Sequence, residues 1–169
     1  MFYIILYLVS ILSANLIITE FGPSASIITA FVLIGLDLTV RDSLHDAWKN
    51  SGLWWKMTLL IATGSALSWI LNRDAGPIAL ASFLAFAAAG IADTITYHFL
   101  GHRTKLLRVN GSNVVSSAVD SAVFPALAFG FPLLWIVMLA QFAAKVLGGG
   151  LWSLALNWKT QKSGDPEII

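Results

Sequence analysis

Six apolar stretches, separated by short polar segments, dominate the sequence. They lie at about residues 2–18, 24–40, 53–71, 78–100, 113–129 and 133–157. About 20 mostly apolar residues form a helix long enough to cross the ~30 Å hydrocarbon core of a bilayer. Hydrophobic residues make up 57% of the chain and charged residues only 11%, which is typical of a membrane protein. We therefore predict an all-α integral membrane protein with a single bundle of six transmembrane helices at 1–158. Residues 159–169 form a polar C-terminal tail.

The basic residues of the connecting segments predict the orientation of this bundle. Most of them lie on the side of the two termini: Arg41, Lys49, Lys56, Arg103, Lys105, Arg108, Lys159 and Lys162. The opposite side has only Arg73. Because cytoplasmic loops carry an excess of Lys and Arg, both termini are expected in the cytoplasm. The predicted location is the inner (plasma) membrane, with the lipid bilayer as surroundings.

Several classes of chemistry are absent from the sequence. The chain has no cysteine, so it has no disulfide and no thiolate metal site. It also has no P-loop, no H-E-x-x-H and no G-x-S-x-G motif. The net charge of +1 gives no indication of nucleic-acid binding. We expect no enzymatic activity, no cofactor and no metal.

Four ionisable residues lie inside the predicted spans at similar depths. With a rise of about 1.5 Å per residue, Asp37 and Lys145 lie about 20 Å below the outer surface, and Asp120 about 10 Å above the inner one. Asp93 lies somewhat closer to the cytoplasm. Charged groups inside a membrane are costly and face protein or water, so they are candidates for a functional site.

Further polar residues share helix faces with these four at helical spacing. The pairs and stripes are Asp37 with Arg41, Asp93 with Tyr97, Gln141 with Lys145, and Asn113, Ser116 and Ser117 with Asp120. Asp120 with Lys145, and Asp37 with Arg41, are alternatively ion pairs that only fix the helix register. Asn15 in the first helix is either a site residue or a plain interhelical hydrogen bond. Gly148, Gly149 and Gly150 permit a helix break or a close backbone contact.

A group of Asp and His residues lies at the predicted cytoplasmic edge. Its members are Asp42, His45, Asp46, His98 and His102. His98 and His102 have the i,i+4 spacing of a metal-binding pair, but no third ligand follows at a known spacing. A solvated helix end is the favoured interpretation, and an intramembrane enzyme at this edge is the alternative.

Four segments together resemble one protein family. They are ANLIITEFG at 14–22, GLDLTVRDSLHDAW at 35–48, ASFLAF followed by Asp93, and RVNGSN with SSAVDSAVF at 108–124. These segments resemble the VUT family of queuosine-precursor transporters, formerly described as vitamin uptake transporters. The resemblance implies a six-helix inner-membrane importer of 7-deazaguanines, chiefly 7-cyano-7-deazaguanine.

The chemistry of a guanine-like base suggests roles for the polar residues. Asp93 or Asp120 would accept its adjacent N–H and amino groups, while Asn113, Gln141 and Lys145 would donate to its acceptors. Phe86, Tyr97 or Phe124 would stack on its flat face. The remaining candidate site residues are Asn15, Asp37, Arg41 and Ser117.

Two transport mechanisms are compatible with the sequence. The leading hypothesis is a secondary transporter or facilitator that binds a nucleobase-like substrate within the bundle. The alternative is a substrate-binding subunit that depends on a separate ATP-driven module for uptake of a vitamin or nucleobase. A homodimer is compatible with either hypothesis.

Overall fold

The structure is a computed structural model that describes residues 1–48, 51–130 and 134–163. Throughout these ranges the regular secondary structure is helical. The α-helices are α1 (Phe2–Phe21), α2 (Pro23–Thr29), α3 (Gly35–Trp48), α4 (Leu53–Leu71), α5 (Gly76–Phe99), α6 (Lys105–Phe129) and α7 (Trp135–Ser163). A π-helical turn, Ala30–Ile34, joins α2 to α3, and a 3₁₀ turn, Arg73–Ala75, precedes α5. Because α2, the π turn and α3 follow one another without a break, they correspond to the second predicted helix.

Five helical stretches are long and apolar enough to cross a membrane. They are Phe2–Phe21, Pro23–Leu44, Arg73–Phe99, Asn110–Phe129 and Trp135–Trp152. The predicted third helix is present as α4, but it is not among these five, because Trp54, Trp55 and Lys56 lower its mean hydropathy. The all-helical, multi-pass prediction is confirmed. The crossing of α4 and the cytoplasmic position of the termini stay predictions.

Three helices extend well beyond the ends that hydropathy predicted. α7 continues to Ser163, past the predicted end at residue 157 and into the predicted polar tail. The second predicted helix ended at residue 40, but α3 continues to Trp48. The fifth began at residue 113, but α6 starts eight residues earlier, at Lys105. Hydropathy marks only the apolar part of a helix, whereas backbone hydrogen bonding continues into the polar edge of the membrane. The turns added in this way contain Asp42 and Arg108.

Glycine residues allow the backbone of α7 to lie in close contact with the backbone of the π turn where the two cross. A Cβ atom on Gly148 would overlap the carbonyl oxygen of Phe31, and one on Gly35 would lie 2.7 Å from the carbonyl carbon of Gly148. Small residues permit such backbone approach between membrane helices. Trp152 donates its indole N–H to the Val32 carbonyl at 2.9 Å, which satisfies a backbone acceptor within the π turn. The close contact predicted for the glycine triplet is therefore formed.

The interior of the bundle has two apolar clusters with polar residues between them. One cluster contains Tyr7, Ile11 and Val40, and the other contains Ile18 and Phe124. Many leucine and isoleucine side chains are exposed on the outside of the helices. An apolar exterior combined with a partly polar interior is the arrangement expected of a transmembrane bundle.

Candidate functional site

A small cavity lies between α1, α2, α5, α6 and α7. We call it the central cavity. Its lining comprises Ala14, Asn15, Ile18, Ser26, Thr29, Ala30, Ile34, Ser82, Phe86, Asp120, Phe124, Gln141 and Lys145. Its volume is about 20 Å³, which is room for one water molecule. Sites for small molecules usually measure about 300–1,000 Å³, so this conformation is closed and the helices must separate to admit a ligand.

An ion pair between Asp120 and Lys145 lies in the wall of the central cavity. Lys145 Nζ is 2.6 Å from Asp120 Oδ2, and the two side chains are only 3% and 9% exposed, the lysine being the less exposed. Lys145 also donates to Ser121 Oγ at 3.1 Å and to Gln141 Oε1 at 3.4 Å. Each charge therefore has a partner, and removal of either would leave the other buried and uncompensated.

Two amide side chains connect different helices at the same cavity. Gln141 donates to Ser26 Oγ at 2.7 Å, which joins α7 to α2. Asn15 donates to Ser68 Oγ at 3.0 Å and accepts from Ser82 Oγ at 2.6 Å, so α1, α4 and α5 meet at one residue. The amides of Gln141 and Asn15 are both 1% exposed, and their orientation is fixed by these bonds. Asn15 thus makes interhelical hydrogen bonds and also lines the cavity.

Phe86 and Phe124 are the aromatic residues in the lining. Phe124 is buried and packs edge-on against Phe129, with a centroid distance of 5.8 Å. Phe86 is half-buried and packs against the apolar cluster that contains Tyr7. The cavity therefore combines two flat apolar faces with a carboxylate, an ammonium and two amides.

A second group of polar residues lies beyond the central cavity. We call Tyr7, Asp37, Arg41, Asp42, Asp93 and Asn113 the Arg41 cluster. Arg41 donates to Asn113 Oδ1 at 3.1 Å, and Asn113 donates to Asp42 Oδ2 at 3.0 Å. Arg41 also interacts electrostatically with Asp42, Asp93 and Asp37. These contacts hold α3 against α6 and place α5 beside them.

Several buried atoms of the Arg41 cluster have no hydrogen-bond partner among the described residues. They include the Tyr7 hydroxyl, Asp37 Oδ1 and Asp93 Oδ1. The alternative of an Asp37–Arg41 ion pair is not formed, since no side-chain N···O distance within 4.0 Å joins these two described residues. Arg41 is instead directed toward Asn113. Asp120 interacts electrostatically with both Tyr7 and Asp37, which links the cluster to the central cavity.

The predicted site residues thus fall into separate places. Six of them line the central cavity: Asn15, Phe86, Asp120, Phe124, Gln141 and Lys145. Four belong to the Arg41 cluster: Asp37, Arg41, Asp93 and Asn113. Ser117 is buried on α6, and Tyr97 lies outside both groups with the Arg108 guanidinium 4.1 Å above its ring. The expected convergence of Asp93 with Asp120 and Lys145 is replaced by an interaction of Asp93 with Arg41.

Sequence reasoning missed the small hydroxyl residues of the cavity. Ser26, Thr29 and Ser82 line it, and none was a candidate. Serine and threonine are also common at plain helix–helix contacts in membranes, so residue type does not distinguish the two roles. Tyr7 of the Arg41 cluster was also missed, although a tyrosine hydroxyl buried in a membrane helix needs a polar neighbour.

His98 and His102 of the predicted cytoplasmic edge form no recognisable site with the other described residues. His98 and His102 are exposed, and His98 Nδ1 lies 3.0 Å from the Thr94 carbonyl oxygen. No group of three potential metal ligands occurs among the residues that the structure describes. The side chains of His45 and Asp46 lie outside the described residues.

Comparison with known proteins identifies the family. A family model described as "putative vitamin uptake transporter" matches residues 3–153, which is nearly the whole chain. No curated protein and no solved structure matches the chain. The matched range contains all residues of the central cavity and of the Arg41 cluster. This chain therefore belongs to the VUT family of uptake transporters.

Proposed function

We propose that the chain imports a queuosine precursor, 7-cyano-7-deazaguanine or a related 7-deazaguanine, across the inner membrane. The observation that carries this proposal is the central cavity, where Asp120, Lys145 and Gln141 face Phe124 in a closed bundle. Membership of an uptake-transporter family supports transport. The choice of substrate class rests on the complementarity between this lining and a flat base with one donor edge and several acceptors.

Asp120 is proposed to accept hydrogen bonds from the edge of the base that carries the N–H and amino groups. A carboxylate accepts two parallel hydrogen bonds, which matches the adjacent N–H and amino groups of a guanine-like base. In the closed structure Asp120 is paired with Lys145 at 2.6 Å. A bound base would donate its N–H and amino groups to Asp120 in place of Lys145. Lys145 could then donate to the carbonyl or nitrile of the same base. The bound base would thus give each of the two charged groups a hydrogen-bond partner in place of the other.

Selectivity follows from the groups that a wrong ligand would leave unpaired. An adenine-like base lacks the adjacent N–H and amino groups, so it would leave the carboxylate of Asp120 buried with an unmet acceptor. A site built to form hydrogen bonds rejects analogues that lack the partner group far more strongly than an apolar pocket does. Phe86 and Phe124 supply stacking area but little discrimination, because every base has a flat face.

Uptake of labelled 7-cyano-7-deazaguanine by cells that cannot make it tests the proposal. We expect Asp120→Asn to abolish uptake, because an amide cannot accept both hydrogen bonds. The matched control is Asp74→Asn, which removes an exposed carboxylate in the 3₁₀ turn before α5. Unchanged uptake in Asp120→Asn would contradict the proposed site.

Reconstitution separates the two transport mechanisms. We expect the purified chain in liposomes to carry the labelled base without ATP or another protein. Activity that appears only after an ATPase partner is added would instead support the substrate-binding subunit of an ATP-energised system.

A further inference from the structure

Asp37 is a buried carboxylate whose charge is not compensated by any contact. It is 1% exposed, and its Oδ1 atom has no hydrogen-bond partner among the described residues. An ionised carboxylate in a dry interior is very costly unless it is paired and hydrogen-bonded. A carboxylic acid in the same place has no net charge to desolvate, so protonation removes most of this cost.

Arg41, one helical turn further along α3, does not compensate Asp37. Its Nη2 atom donates to Asn113 on α6, and its strongest electrostatic interactions are with Asp42 and Asp93. No side-chain N···O distance within 4.0 Å joins the two residues. Arg41 therefore acts on Asp37 electrostatically but forms neither an ion pair nor a side-chain hydrogen bond with it.

The other helices packed against Asp37 also fail to supply a positive charge to it. The Tyr7 hydroxyl of α1 is buried without a partner and interacts electrostatically with Asp37. Asp120 of α6 carries a negative charge toward Asp37, while Lys145 of α7 is paired with Asp120. Asp42 and Asp93 add further negative charge around Arg41. Among the described charged groups that act on Asp37, only Arg41 is positive, and it forms no ion pair with the carboxylate.

Asp37 also lies next to the π turn, which contributes to the wall of the central cavity. It follows the π turn and comes three residues after Ile34, which lines the central cavity. The π turn crosses α7 at Gly148, and single π turns often occur at functional sites. A helix separation that admits substrate would therefore bring water to Asp37 as well.

We propose that Asp37 is a proton-binding site that must be occupied before the bundle closes. The existence of the proton site does not depend on the proposed transport function. Only its expected effect on the rate of substrate exchange rests on that function. In an open conformation the Asp37 carboxylate is hydrated and ionised. It takes a proton from the adjoining water as the helices close, remains a neutral acid in the closed bundle, and returns the proton to water when the helices open again.

Infrared spectroscopy of the purified protein tests the proton site without substrate. We expect the wild type to retain a carboxylic-acid C=O band in neutral buffer, which Asp37→Asn loses and Asp74→Asn keeps. An unchanged band in Asp37→Asn would overturn the proposal, because Asp37 would then be ionised in the closed protein. Asp37→Glu retains a titratable carboxyl and serves as the second variant, with the band expected to remain.

Exchange of labelled 7-cyano-7-deazaguanine across liposomes, with the same pH on both sides, tests the consequence. Because one proton is needed for closure, the wild-type rate should fall about tenfold per pH unit above the titration midpoint. Asp37→Asn mimics the protonated acid, so its rate should not depend on pH over that range. An equal pH slope in wild type and Asp37→Asn would overturn the proposal. If neither exchanges the base but the infrared difference is present, the substrate assignment fails and the proton site stands.

Discussion

Gly148 is the position where one added methyl group should have the largest effect on this fold. A Cβ atom there would overlap the carbonyl oxygen of Phe31 and lie 3.0 Å from the carbonyl carbon of that residue. Both are backbone atoms within the π turn, so no side-chain rotation relieves the contact. Ordinary carbon–carbon contacts are about 3.5–4.0 Å, so α7 would have to move away by roughly 1 Å.

The neighbouring glycines supply matched controls for the size of this effect. A Cβ on Gly149 would make ordinary contacts from 3.7 Å outward, and one on Gly150 would meet nothing within 4 Å. All three substitutions by alanine gain about 1 kcal/mol of helix propensity. Overpacking typically costs about 1–3 kcal/mol, and only Gly148→Ala incurs it. We therefore expect Gly148→Ala to be less stable than Gly150→Ala by about 1–3 kcal/mol.

Equilibrium unfolding in mixed detergent micelles measures this difference. The free energy of unfolding should be lowest for Gly148→Ala, while Gly149→Ala and Gly150→Ala should equal or exceed the wild type. If Gly148→Ala and Gly150→Ala unfold at the same denaturant concentration, α7 does not cross the π turn at Gly148. The reasoning about the crossing would then be refuted.

Two further substitutions test the polar interior, and a third tests the contact between α7 and the π turn. Lys145→Met should lower the free energy of unfolding by about 3–5 kcal/mol, because Asp120 is left buried without its cation, and adding Asp120→Asn should recover most of the loss in the same denaturant titration. Asn15→Leu removes two interhelical hydrogen bonds and should cost about 1–3 kcal/mol, seen as earlier thermal unfolding. Trp152→Phe removes the N–H donated to the Val32 carbonyl and should cost about 1 kcal/mol, measured by denaturant unfolding.

Each of these three substitutions has a control at a position outside the contact that it tests. Lys56→Met removes a half-buried lysine near the start of α4, and Trp135→Phe alters an exposed indole at the start of α7. Asn72→Leu removes a cap of the 3₁₀ turn rather than a buried bridge. A stability loss in a control as large as in the substitution it is matched with would contradict the assignment of the effect to that contact.

Hydropathy was sufficient to locate the helices because lipid imposes a strong and local rule. Each spanning segment must satisfy its own backbone hydrogen bonds and present apolar side chains, so the predicted run at 2–18 lies within α1 and the run at 78–100 nearly coincides with α5. Helix ends were harder, as α3 and α6 show, because polar turns at the membrane edge remain helical without an apolar signature. Depth along the helix axis placed Asp120 and Lys145 at the same level, and they do form a pair.

The depth of a residue along its helix does not determine which neighbouring helix its side chain faces. That depends on how the helix is rotated about its own axis. The i,i+4 spacing suggested an Asp37–Arg41 pair, yet Arg41 donates to Asn113 on another helix. The π turn before Asp37 changes the direction in which the following side chains point, and no motif in the sequence announced it. The assignment of Asp93 to the Arg41 cluster rather than to Asp120 has the same origin.

The sequence by itself determined that this chain is a helical membrane protein, where its helices lie along the chain, and which family it belongs to. These properties depend on composition and local pattern, which neighbouring residues specify. Only the tertiary structure decided that the central cavity is closed, that Asp120 is paired with Lys145, and that Asp37 lacks a partner. Those properties depend on the relative rotation and separation of helices far apart in the chain, which close contacts such as Gly148 on the π turn determine.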